Sequence, residues 1–442
     1  MITMGIMTEV SQASAATNPR PLTIVLVLDA AGNRGNGTSN SALQWAAALK
    51  QQGHHVRLVG IGAPNYPAQE NLIPFVSWIA RKQQMHFAKP SDALFRRAFE
   101  GADVVHLYMP FSFCRHAMRV AQSMGIPVTA GYHVQPENIT YSAGPLRHIP
   151  GIDSFIYRLF RHWIFDHVNA IHVPTQLGAT LLRKHHYHEP IYVISNGYEP
   201  RFTPSVKPDF TALAAATAAQ ESDSAVPIPT PLSNELTNAM INTASLMAAQ
   251  AAPEADLPWS PEHPMHIIAS GRLTNEKNHT MLIEAIAQSR HADSIKLTIA
   301  GTGPLAKKLR KQAQTSLPIP AEIGFHKNSD MPALLRSGDI LVHPSIADLE
   351  SISVLEGMAC GLVPIIADSP LSAAGQFSLD EHCSFPVDSV ETLTERIDWW
   401  FEHPTQIAQW SGIYAAYTKE HYSVAESVKE FADMEYNVIA SA

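Results

Sequence analysis

Only three of the 442 residues are cysteine, Cys114, Cys360 and Cys383. No two of them have a metal-knuckle or disulfide-framework spacing, which argues against both and for a reducing compartment. Long apolar runs are also missing: none approaches the roughly 20 residues that span a bilayer. The first twenty residues are polar and Ala/Ser-rich, carry Glu9, and lack the apolar stretch of a signal peptide. A cytoplasmic protein is therefore expected. There is no G-x-G-x-x-G loop, so the dinucleotide fingerprint is absent. No cluster of acidic and imidazole residues at metal-ligand spacing is visible, and neither a metal nor a cofactor is expected.

Charge is scarce as well, at 16% of residues, and unevenly spread under a net −9. Residues 1–200 hold 16 Lys+Arg against 11 Asp+Glu, whereas the remainder holds 15 against 29. A basic half can meet an anionic surface that repels an acidic half. Nothing in the pattern points to nucleic acid. A length of 442 residues exceeds what one core supports and implies two domains.

Short aliphatic runs alternate with helical patterns through the first half. Leu22–Leu28, His55–Ile61, Val104–Met109, Pro127–Tyr132, Ala170–Val173 and Ile191–Ile194 read as strands, with helices such as Ser39–Gln52 and Ala93–Phe99 between them. Continuous rather than alternating apolar strands, each followed by a helix, indicate a parallel sheet covered on both faces. The second half restarts at His266–Ser270 and repeats the alternation. Between them, about 210–263 is Ala/Pro/Ser/Thr-rich without strand runs and reads as a disordered insertion, although Met240–Ala251 has helical character.

Several turns carry candidate chemistry. Gly32-Asn-Arg-Gly35-Asn-Gly37-Thr-Ser follows the first strand, where glycines permit close backbone approach to a ligand and Ser39 or Asn40 can cap the helix; a plain turn is the alternative. His133 leaves the strand Pro127–Tyr132 at its C-terminal end, where such sheets bind ligands, although a lone histidine is more often packed or solvated. Glu137 and Asn138 follow, Glu137 being equally able to cap the next helix. Gly271-Arg272 and Lys277, between a strand and a helix, form a candidate diphosphate clamp. Gly301 and Gly303 make a second glycine turn that can line the same cleft. In Asp348-Leu-Glu-Ser-Ile-Ser-Val-Leu-Glu356, carboxylates that accept from sugar hydroxyls stand beside the amides of Ser351, Ile352 and Ser353, which can hold a phosphate at a helix N-terminus. A solvated acidic loop before a core helix is the plainer alternative. Phe155–Phe165 mixes aromatic and basic residues at helical spacing and suits either a membrane surface or a core.

The last acidic stretch resembles the E-x7-E motif of family 4 of the retaining glycosyltransferases, which have the GT-B fold. His133-Val-Gln-Pro-Glu-Asn138, Ser195-Asn196-Gly197 and Gly271-Arg272-Leu-Thr-Asn-Glu-Lys277 are similar to that family too. The Asp348–Glu356 stretch and the His133–Asn138 string also look like its bacterial diacylglycerol-glucosylating subgroup. The resemblance implies two Rossmann-like α/β domains with parallel sheets facing across a cleft: residues 1–200 for the acceptor, 264–420 for the nucleotide-sugar, a linker over 201–263, and a helix from 421–442 packing back on the first domain. It implies transfer of a hexosyl unit, glucose from UDP-glucose being the commonest case, with retention, to a lipid such as diacylglycerol. Arg272 and Lys277 would stabilise the leaving diphosphate, Glu356 would hold the ribose, Asp348 a sugar hydroxyl, and His133 would orient the sugar. Gly35 and Gly37 would line the cleft. Asp348 stands one methylene shorter than the family's Glu. Peripheral contact with the inner face of a membrane through the basic half would follow. Three other readings stay open: a sugar-nucleotide epimerase, a capsule or exopolysaccharide transferase with a polyprenyl-linked or glycan acceptor, and a nucleotide-sugar-binding protein without activity.

Overall fold

A computed structural model describes residues 20–32, 37–72, 86–142, 148–204, 234–250 and 257–442. Seven parallel strands form the first sheet: β1 Thr23–Ala30, β2 His55–Ile61, β3 Tyr66–Pro67, β4 Val104–Leu107, β5 Val128–Gly131, β6 Ala170–Val173 and β7 Ile191–Val193. Their order is β3-β2-β1-β4-β5-β6-β7. The second sheet, also parallel, runs β10-β9-β8-β11-β13-β15, from β8 Met265–Ser270, β9 Ile295–Ala300, β10 Glu322–Gly324, β11 Ile340–His343, β13 Val363–Asp368 and β15 Ser384–Pro386. A small pair, β12 Ala347–Asp348 with β14 Leu371–Ser372, stands beside it. The two-sheet α/β architecture expected from the resemblance is the one the chain adopts.

The sequence explains the burial. In β1 every residue after Thr23 is buried, because helices cover both faces of the sheet. Each sheet reverses strand order once, between β1 and β4 and between β8 and β11, and opens a crevice at the strands' C-terminal ends. Those ends carry His133, Gly271, Gly301 and the loop after His343.

The helix Val424–Ser441 returns to the first sheet. Val424, Val428, Phe431 and Met434 join Leu26, Trp45 and Tyr108 in one core cluster. The fully buried Trp45 indole donates from Nε1 to the Asn196 carbonyl at 2.8 Å; truncating a tryptophan in such a place costs roughly 3–5 kcal/mol. Gly197 sits where the chain leaves this domain, at φ +69°, and a Cβ there would meet the Val424 backbone at 2.8 Å.

Two expectations are corrected. Within the insertion read as disordered, the helical character seen over Met240–Ala251 belongs to a longer helix, Asn234–Gln250, whose Met240, Ala244 and Ala248 are buried and whose Thr237 donates to Glu420. Ser39 does not cap the first helix. That helix starts at Gly37, and the Ser39 hydroxyl lies inside it, donating to the Ala30 carbonyl.

Candidate active site

The crevice is walled on the C-terminal side by two loops. After β8 the backbone turns at Gly271, passes Arg272, makes a 3-10 turn over Asn275–Lys277 and enters the helix His279–Gln288 through Asn278 in the left-handed conformation, φ 49°. Arg272 donates from Nη2 to Glu276 Oε1 at 2.9 Å, and the buried Glu276 also accepts from Thr274 Oγ1 at 2.6 Å. The Arg272 side chain stays 46% exposed.

The second loop brings Asp348 to Lys277. The Lys277 ammonium pairs with Asp348 Oδ2, which also lies 3.3 Å from His343 Nε2. The other oxygen, Oδ1, accepts from the Ser351 amide at 3.2 Å. Burial alone would raise the Asp348 carboxyl; the Lys277 charge and His343 outweigh it and hold it well below the usual carboxylate range. Ser351, at φ 68° and ψ 57°, precedes the helix Ile352–Ala359 without a side-chain cap bond. A non-glycine residue in that region stores strain of the kind found at ligand clamps. The first amides of the helix, those of Ile352 and Ser353, follow this turn and suit an anion, as at any helix N-terminus.

Glu356 lies one turn further along. Burial pushes its carboxyl up to about 8, the nearby Arg201 pulling it down and Glu199 adding to the rise. Gly301 and Gly303, expected as cleft lining, first make a bed for the Arg272 loop. A Cβ on Gly301 would collide with the Gly271 carbonyl at 1.8 Å, and one on Gly303 with that of Leu273 at 2.5 Å.

On the opposite wall His133 is half-buried and stacks on Tyr108, ring centroids 5.0 Å apart. Burial, then His172 and His106, depress it well below the ordinary value, so the ring is neutral. Glu137 is buried and accepts from Tyr157 Oη at 3.1 Å, a bond that ties the helix Pro136–Ser142 to the helix Ile152–Trp163. Asn138, next to it, is half-buried, its Oδ1 buried without a partner. Gly37 is exposed at the start of its helix. Gly35 lies outside the described residues.

Sequence reading missed the groups that tie the two walls. Glu350 accepts from Ser195 Oγ at 2.5 Å and from the Asn196 amide at 2.7 Å. Burial lifts it to about 7 against the pull of those donors. Thr175 Oγ1 donates to the Leu349 carbonyl at 2.8 Å, and Gln135 Nε2 to that of Leu371 at 3.2 Å. Glu350 and Ser195 both stood in motifs already singled out; their 155-residue separation hid the pairing. His343, closing the Asp348 contacts, was legible as a strand end immediately before the Pro-Ser turn.

The site now stands as a cationic arginine and lysine, a fixed carboxylate and a helix N-terminus facing a histidine wall, an arrangement suited to a phosphorylated sugar. Two family models match the chain: "Glycosyltransferase Family 4" over residues 35–202 and "Glycosyl transferases group 1" over 258–416. The chain is 23% identical over 348 residues to the alpha-monoglucosyldiacylglycerol synthase of Streptococcus pneumoniae, covering 75% of this chain and 68% of that one. It is 30% identical over 120 residues to the putative colanic acid biosynthesis glycosyltransferase WcaL of Escherichia coli K12, covering 24% and 29%. Among solved structures, Anabaena Alr3699/HepE in complex with UDP and glucose matches with TM-score 0.65 over 94% of this chain and 100% of that one; at 12% identity this is a likeness of fold. The chain belongs to the family-4 glycosyltransferases, as a hexosyltransferase of GT-B fold acting on a sugar-nucleotide donor.

Proposed function

We propose that the protein transfers glucose from UDP-glucose, with retention at the anomeric carbon, to the hydroxyl of a membrane lipid such as diacylglycerol. The observation that carries the donor half is the Lys277–Asp348–His343 cluster beside the amides of Ile352 and Ser353. Arg272 and Lys277 stabilise charge on the departing diphosphate, where preorganised cations contribute most. Asp348, held ionised, accepts from a sugar hydroxyl; Glu356 accepts from the ribose, and His133 orients the sugar from the other wall. In a front-face reaction the bond from C1 to the phosphate oxygen breaks, the bond from C1 to the acceptor oxygen forms, and the acceptor proton passes to the leaving diphosphate. No cofactor is required by this scheme.

The lipid acceptor is supported by the name of the streptococcal relative and by one surface. On and just before the helix Ile152–Trp163, Ile149 and Phe155 are 47% and 56% exposed, beside an exposed Arg158. No helix among the described residues is long and apolar enough to cross a membrane, so the lipid would be met at the bilayer surface. A glycan acceptor is the second reading, favoured by the likeness to WcaL. The deciding experiment gives purified protein UDP-glucose with and without diacylglycerol-containing vesicles and resolves lipid products by mass. A hexosyl-lipid formed only with vesicles supports the proposal. Consumption of donor with soluble glycan and none with vesicles sinks the lipid acceptor and leaves the donor site standing.

A further inference from the structure

Behind the His133 wall lies a cluster that neither the donor site nor the lipid surface uses. Strands β4, β5 and β6 are neighbours, and their register sets His106 opposite Thr129 and Gly131 opposite His172. His133, two residues past the end of β5, folds back over them. One ring nitrogen from each of His106, His133 and His172 lies within 4.8 Å of the other two. His106 Nε2, His133 Nε2 and His172 Nδ1 are all buried and have no hydrogen-bond partner.

The outer nitrogens fix which tautomer is present. Thr129 Oγ1 donates to Glu435 Oε1 at 2.6 Å, so it accepts from His106 Nδ1 at 2.8 Å. His172 Nε2 donates to the Ile194 carbonyl at 2.7 Å. Both protons therefore sit on the outer side, and the lone pairs of His106 Nε2 and His172 Nδ1 remain inside. Room between the rings comes from Gly131: a Cβ there would lie 2.4 Å from His133 Nε2 and 3.2 Å from His106 Nε2.

We propose that His106, His133 and His172 form a binding site for a divalent transition cation of the Zn²⁺ type. Imidazole nitrogens suit such ions, and three protein ligands leave a position for water. The outer bonds match what ligating histidines need, a ring N–H given to a carbonyl or relayed to a carboxylate. The Glu435 carboxyl, 3.5 Å from His106 Nδ1, closes the outer side of the cluster from the helix Val424–Ser441. The half-exposed His133 gives the ion a way in from the crevice. Bound there, the cation holds the His133 ring in one orientation and ties the returning helix to the first sheet.

The test needs neither donor nor acceptor, so its failure is separate from any failure of the transferase reading. Full-length protein is stripped with a chelator and titrated with Zn²⁺ alone, following heat of binding and melting temperature. One ion per chain is expected, with a melting temperature that climbs as Zn²⁺ rises. His172→Phe keeps an aromatic ring beside Trp45, 4.9 Å away in the native pair, and should weaken Zn²⁺ by more than about 100-fold. Glu435→Gln, one step removed from the ion, should weaken it about tenfold. Gly131→Ala, which keeps all three imidazoles, should also abolish uptake by filling the space between them. Absence of uptake at micromolar Zn²⁺ overturns the site, and so does uptake that survives both His172→Phe and Gly131→Ala, which would place the ion on other histidines.

Discussion

Asp348 is one methylene shorter than the glutamate its family carries, and the structure shows what takes up the difference. Its carboxylate meets Lys277, His343 and the Ser351 amide at once, so its position is set from three sides. Asp348→Asn keeps the shape and removes the charge. Turnover of the sugar nucleotide should fall about 100-fold in kcat/KM, the scale expected on losing one preorganised electrostatic contact. A fall of less than about threefold in a steady-state assay would remove Asp348 from the site. Glu356 gives a prediction in pH. Burial raises its carboxyl to about 8, so in the unliganded protein it is protonated at neutrality. If it accepts from a donor hydroxyl as the carboxylate, affinity for the sugar nucleotide should strengthen as pH rises from 6.5 to 8.5. Glu356→Gln should flatten that trend, as read by calorimetry across the range.

At the scale of elements, the parallel strands were legible because each is a nearly unbroken aliphatic run. The short edge strands β3 and β15 were not, since two or three residues ending in proline make no run at all. The helix Pro404–His421 was missed for the opposite reason: with Trp410, Ile413, Tyr414 and Thr418 buried, it shows no clean polar face to set a period. Site motifs contiguous in sequence, such as Asp348 to Glu356, could be read directly. Contacts made by distant segments, such as Glu350 on Asn196 or the three imidazoles from β4, β6 and the turn after β5, depend on sheet order and left no local signal. The step out of the first domain carries its own prediction. Gly197 has positive φ and no space for a side chain beside Val424, so Gly197→Ala should cost about 1–3 kcal/mol in denaturant unfolding. The same change at the exposed Gly53, which also has positive φ but nothing within 4 Å, should cost less.

Across the whole molecule the buried titratable groups oppose one another. Burial pushes Asp29 and Glu350 up to about 7, and Glu356 and Glu435 up to about 8. These carboxyls hold protons in the folded chain that the unfolded chain has released, so stability falls as pH rises from their ordinary range through 8. Burial lowers His106, His172 and His279 to about 3. The unfolded chain takes up protons there that the fold refuses, so stability falls as pH drops below about 6.5. Between about 4.5 and 6.5 the two sets nearly cancel. Melting temperature against pH should show a plateau in that window and decline on both sides. A maximum at pH 8 or above would mean that the carboxyls are not buried as described.

The return of the helix Val424–Ser441 to the first sheet has a consequence for how the protein is made. One face of that sheet, with Trp45 at its centre, stays uncovered until residues 424–441 have left the ribosome. Roughly 230 residues separate Ile194 from Val424, which at typical elongation speeds is about 10–50 s of synthesis. Throughout that interval the nascent first half displays an apolar surface whose partner does not yet exist. Chains stalled before residue 424 should therefore be held by chaperones and cut by protease near the helix Gly37–Gln51, and extension past residue 441 should abolish both.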